Sequence, residues 1–143
     1  MNNVEPVERI FISFTLIGEN LIPDEISLRL GISPDLSFKR GDVEGEYEGK
    51  RIERSYGVWE IVSDNRELPS DDVVVQLKWL VNLLEPVKEN LRQILEDNTI
   101  QATIGCFWIA PNGRINVEFE PVLLSQIASL DVKIRFDIYG DYS

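Results

Sequence analysis

The chain has 143 residues and a mass of 16.4 kDa, enough for one domain with its own core, and its 43% hydrophobic and 27% charged residues exclude a disordered, collagenous or coiled-coil polypeptide. With no histidine and one cysteine, Cys106, it can form no intrachain disulfide, no Cys–His or Ser–His–Asp nucleophile and no thiolate–imidazole zinc site. Fourteen Lys plus Arg oppose twenty-five Asp plus Glu, a formal charge of −11 that repels phosphate backbones and anionic membranes and favours encounter with a basic partner.

Arg9 to Leu16 is rich in β-branched and aromatic residues and predicts a strand with Ile10, Ile12, Phe14 and Leu16 on one face. After the turn residues Gly18-Glu19-Asn20, Pro23 suits the first position of a short helix, with Asp24 and Glu25 in its first turn and Gly31 placed to end it. Ile32 to Arg54 carries Gly41, Gly45, Gly49 and dense charge of both signs, which predicts a loop or a solvated hairpin. Gly57 to Val62 is the next strand, with Trp59 and Ile61 on one face. Ser70 is placed to cap a helix, with Asp71 and Asp72 in its first turn. Val73, Leu77, Leu80, Leu84, Val87, Leu91, Ile94 and Leu95 mark an amphipathic helix, which Pro86 should kink or split in two.

Ala102 to Ala110 predicts a third strand, Pro111-Asn112-Gly113 a hairpin turn, and Arg114 to Glu120 a returning fourth strand that alternates Ile115, Val117 and Phe119 with polar residues. Pro121 opens a helix through Leu123, Leu124, Ile127 and Leu130. Val132 to Tyr139 alternates Val132, Ile134, Phe136 and Ile138 against Lys133, Arg135, Asp137 and Tyr139, which implies one dry and one wet face. The order β-α-β-α-β-β-α-β predicts a single α+β domain over 1–143, with helices on a largely antiparallel sheet of about five strands.

Several blocks carry a family resemblance: Phe14-Thr15-Leu16 with Gly18-Glu19-Asn20-Leu21 and Pro23-Asp24-Glu25-Ile26-Ser27, then Leu30-Gly31-Ile32 with Pro34-Asp35, Lys39-Arg40-Gly41-Asp42, Gly57-Val58-Trp59 and Phe136-Asp137-Ile138-Tyr139-Gly140. Across nearly its whole length the chain resembles the bacterial domain of unknown function 4279 family. The resemblance implies a compact small bacterial domain and assigns no catalytic residue.

The most suggestive constellation is cationic. Lys39, Arg40, Lys50, Arg51 and Arg54 fall close together, with Trp59 nearby in sequence. Arginine forks grip carboxylates or phosphates, and an indole stacks on a planar group. Lys39, Arg40, Arg51, Arg54 and Trp59 are therefore candidate ligand-binding residues for an anion or small molecule. The competing reading is that the cations neutralise Asp42, Glu44, Glu46, Glu48 and Glu53 across a hairpin.

Elsewhere the signals are weaker. Glu118 with Glu120, and Asp137 with Asp141, share strand faces, but no further ligand or acid–base partner converges on them, so no metal is assigned. Cys106, between Gly105 and Phe107-Trp108, reads as a buried inert thiol. Trp79 stands out of step with Leu77, Leu80 and Leu84, at the edge of its helix stripe. No P-loop or GxSxG elbow is present, and no cofactor or catalytic residue is assigned. Met1 to Pro6 lacks the basic and apolar regions of a secretion signal, and no apolar run approaches the ~18 residues that span a bilayer; with the lone thiol, the expected location is cytoplasmic. The expected function is therefore binding without catalysis, in the concrete version an immunity-like domain neutralising a basic protein. An anion-binding domain built on residues 39–54 and Trp59 is the alternative.

Overall fold

A computed structural model describes residues 8–111 and 113–140. The expected turn residue Asn112, the carboxylate Asp141 and the segment Met1 to Pro6 lie outside the described residues. The elements in chain order are β1 (Arg9–Gly18), α1 (Pro23–Leu30), β2 (Leu36–Phe38), β3 (Val43–Tyr47), β4 (Lys50–Glu53), β5 (Gly57–Val62), α2 (Val73–Leu84), α3 (Lys88–Leu95), β6 (Gln101–Ala110), α4 (Pro121–Ser129) and β7 (Lys133–Gly140). Five strands form the main sheet in the order β2-β5-β1-β6-β7, and β3 pairs with β4 as a separate hairpin. All neighbours in the main sheet are antiparallel except β6 and β7, which run parallel. The expected α+β class, the five-stranded sheet and the course of strands and helices are present.

Alternation in the central strands separates two faces. Ile10, Ile12, Phe14 and Leu16 of β1 and Ile104, Cys106 and Trp108 of β6 are buried, together with Leu77, Leu80 and Leu84 of α2, Leu91 and Ile94 of α3, Ile26 of α1 and Leu123 of α4. Among the described residues the opposite face has no helix layer, and it carries an aromatic row, with Phe11 stacked on Phe107 at 4.7 Å and Phe107 against Tyr139 at 5.0 Å. Gly31 ends α1 at a φ of 67°, donating its N–H to the Ser27 carbonyl, as its position predicts. Pro86 splits the long amphipathic segment, because a 3-10 turn over Glu85–Val87 separates α2 from α3.

Four local expectations change. Arg114 to Glu120 keeps its alternation, with Ile115, Val117 and Phe119 half-buried, but forms no ladder. β1 and β7 already hold the two sides of β6, so the segment instead serves, with α4, as the crossover that a parallel partner requires. The fifth strand is β2, three residues within the stretch expected to be irregular. Ser70 does not cap α2: the helix begins at Val73, so Asp72 is the cap and its carboxylate accepts the Val74 N–H at 2.7 Å, while the Ser70 hydroxyl oxygen accepts the Asp72 N–H. The expected dry face of β7 is wet, because among the described residues β7 is an edge strand with a neighbour on one side only; Ile134, Phe136 and Ile138 remain 38%, 37% and 51% exposed.

Two polar nodes tie the segment after β5 to the sheet. Buried Gln76 donates from Nε2 to the carbonyls of Ile10 and Asp71, and its Oε1 accepts the Ser63 hydroxyl, which in turn accepts the Ile12 N–H. Asp35 accepts the Val62 N–H at 2.7 Å and a forked pair from Arg66 at 3.1 and 3.3 Å. Burial opposes the charged form of Asp35, but the Val62 N–H and the Arg66 guanidinium outweigh it and hold the carboxyl below its ordinary value.

Gln76→Leu should destabilise the protein by about 2–3 kcal/mol in urea unfolding, since it strands buried polar partners. Asp35→Asn should cost about 1 kcal/mol at neutral pH. Because the folded carboxyl titrates below the unfolded one, that deficit should be full above the ordinary carboxylate range and vanish as pH falls through the lower folded value. Burial alone pushes the Cys106 thiol up to about 12, so iodoacetamide at pH 8 should label the native protein only at its unfolding rate.

Candidate functional site

The basic segment resolves into separate, locally compensated groups. The turn of the β3–β4 hairpin falls at Glu48 and Gly49, with φ of 51° and 77°, the left-handed pair that suits a two-residue connection. Along the ladder Arg51 lies opposite Glu46, and Arg54 pairs with Glu44 at 3.2 Å. The Arg54 guanidinium also stacks 4.1 Å from the centre of the Phe38 ring, whose other neighbour is Tyr56 at 6.0 Å. Arg40 pairs with Glu19 at 2.8 Å, and the Lys39 backbone N–H donates to Asp42.

Lys39 and Arg40 share a shallow hollow of about 220 Å³ with Glu19, Asn20, Leu21 and Ile22; neither Arg51 nor Arg54 lines it. Trp59 is excluded from any such site. It is 0% exposed on the helix-covered face, meets Phe14 edge-on at 6.3 Å, and donates its indole N–H to the Ser27 hydroxyl at 3.0 Å. Its alternation with Ile61 is what drives it inward, away from the charged hairpin that precedes it in sequence.

A second arrangement draws on three distant segments. The start of β1, the approach to α2 and the 116–118 stretch of the crossover enclose a hollow of about 340 Å³. Glu8, Asp71, Asp72 and Glu118 line it, with Ser70 and Asn116 as neutral polar groups and Ile10, Val117 and Trp108 as apolar wall. Among the described residues no lysine or arginine lies in that lining. Trp108 is 6% exposed and fixes Glu8 by donating its indole N–H at 3.1 Å. Asp72 is held by its capping bond, and the Asp71 carbonyl by Gln76. Among the described residues no three Asp, Glu or Cys side chains converge closely enough to hold a metal ion.

An adjoining hollow of about 220 Å³ shares Ile10, Ser70 and Asp71 and adds Asp64 and Arg66. Arg66 is committed to Asp35 and lies 5.4 Å from the ring centre of Trp79, which seals the helix edge there. Local sequence signals reveal none of this. Asp71 and Asp72 read as helix-start residues and Glu118 as a solvated strand position, and only the tertiary fold brings them beside Glu8.

The expected strand face shared by Glu118 and Glu120 is absent, because their segment forms no ladder. Glu118 and Glu120 are exposed on alternate positions of the crossover, Asp137 pairs with Arg135 at 3.0 Å on β7, and Cys106 is buried in β6. No helix among the described residues is long and apolar enough to cross a membrane.

Neither the curated proteins nor the solved structures contain a match to this chain. A family described as Domain of unknown function (DUF4279) matches residues 8–141, which takes in every element from β1 to β7. The chain belongs to the DUF4279 family.

Proposed function

We propose that this chain is a non-catalytic interaction domain for a basic protein partner, and that the acidic hollow receives a Lys or Arg side chain of that partner. The observation that carries this reading is a concavity lined by four acidic residues and, among the described residues, no lysine or arginine. Acidic residues around one opening suit a guanidinium fork or an ammonium group, and the apolar Ile10, Val117 and Trp108 in the same lining suit its aliphatic stem. The charge of −11 supports fast encounter with such a partner. A domain that masks a cationic effector, in the manner of an immunity protein, would use a surface of this kind. An anion-binding role for the hairpin has less support, because Arg40, Arg51 and Arg54 each already face a carboxylate and Trp59 lies in the core.

A charge-matched comparison tests the reading. Glu8→Gln, Asp71→Asn and Glu118→Gln together should weaken calorimetric binding of an Arg- and Lys-rich peptide about tenfold or more, and association of the unmodified protein should slow as salt rises. The same charge change made at Glu46, Glu89 and Glu96 should weaken binding less than about twofold, as expected where only the general field is altered. Equal losses in the two sets would mean that the hollow has no role of its own.

A further inference from the structure

Among the described residues, β7 is the longer of the two edges of the main sheet. β6 occupies one side of it, and among the described residues no strand occupies the other, so alternate residues of Lys133–Gly140 turn N–H and C=O groups outward. The opposite edge, β2, has three residues. β7 has no proline, and its register with β6 runs without a shift from Lys133 to Gly140, so neither a bulge nor a break protects it.

The apolar side of this edge is built for burial and left uncovered. Ile134, Phe136 and Ile138 stand beside Ile104, Cys106 and Trp108 on the helix-covered face, yet each is more than a third exposed whereas those β6 neighbours are buried. Phe136 also meets Phe119 of the crossover, at 6.1 Å. The pattern is that of a strand with one neighbour missing.

We infer that the missing neighbour is β7 of a second copy, running antiparallel about a two-fold axis at Phe136 and joining two five-stranded sheets into one of ten. This goes beyond the binding of a basic partner and uses a different surface. Opposed residues of an antiparallel pair lie on the same face, and a two-fold axis places one residue opposite itself. With Phe136 at the axis, Ile134 meets Ile138 of the second copy on the helix side. On the other side Arg135 meets Asp137 and Lys133 meets the Tyr139 ring. Arg135 and Asp137 already pair within one chain at 3.0 Å, so the dimer closes a ring of four alternating charges.

Neighbouring registers lack this match. Moving the axis to Arg135 sets two guanidiniums face to face, and moving it to Asp137 does the same with two carboxylates. The arrangement of β7 thus selects one register and one partner, a copy of itself.

Sedimentation equilibrium at about 100 μM protein and 0.15 M salt, within the range of weak specific association, should give a mass near twice 16.4 kDa. Arg135→Asp alone opposes four carboxylates and Asp137→Arg alone opposes four guanidiniums, so each single variant should sediment as monomer. Their side chains are 65% and 41% exposed, and circular dichroism should show both variants folded. An equimolar mixture of the two should recover a mixed dimer, and a chain carrying both changes should recover the homodimer. A monomeric unmodified protein, or single variants that dimerise as well as it does, would overturn the inference.

Discussion

One helix layer covers one face of the main sheet, and the rest of the molecule follows from that asymmetry. The alternation of β1 and β6 puts Ile12, Phe14, Leu16, Ile104 and Cys106 out of water together, and α1, α2, α3 and α4 bring the apolar stripes that complete this core. A buried aliphatic side chain contributes roughly 1.5–3 kcal/mol, so this face supplies most of the driving force for folding. Among the described residues the other face has no helix cover, and it mixes half-buried apolar side chains, including the Phe11–Phe107 stack that runs on to Tyr139, with polar ones such as Thr15, whose hydroxyl donates to Glu60 at 2.7 Å.

The legible parts of the fold were those governed by short-range rules. Strand composition and period-two alternation located β1 and β5, while Pro23, Gly31 and Pro86 punctuated the helices through their backbone constraints. Those rules lose force where pairing is decided elsewhere. Arg114 to Glu120 alternates as a strand does, but alternation records which side is wet and says nothing about whether a ladder partner is free. β2 is too short for any period to register. The cap at Asp72 rather than Ser70 reflects a two-residue ambiguity inherent in a stretch with several competent capping residues.

The candidate sites divide on the same line. Closeness in sequence suggested that Trp59 belongs with Lys39, Arg40, Arg51 and Arg54, yet the parity that aligns Trp59 with Ile61 sends the indole into the core. The charges of the hairpin were read well enough to anticipate neutralisation: Arg54 meets Glu44, and Arg51 faces Glu46. The acidic hollow could not be read locally, because Glu8, Asp71 and Glu118 come from three parts of the chain whose meeting depends on the β1–β6 pairing and on the crossover.

That pairing also governs how the chain is made. The indole of Trp108 reaches the carboxylate of Glu8 across 100 residues of sequence, and β1 contacts β6 in register along nearly its whole length. During synthesis β1 therefore emerges well before its central neighbour and waits while α1, β5, α2 and α3 are made. In the interval Ile10, Ile12, Phe14 and Leu16 have no completed core to enter, and the slow closure expected for such distant partners prolongs that exposure. Shortening the chain from its C-terminal end past β6 would leave β1 without its longest partner, so nascent fragments of this protein are natural clients for holding chaperones.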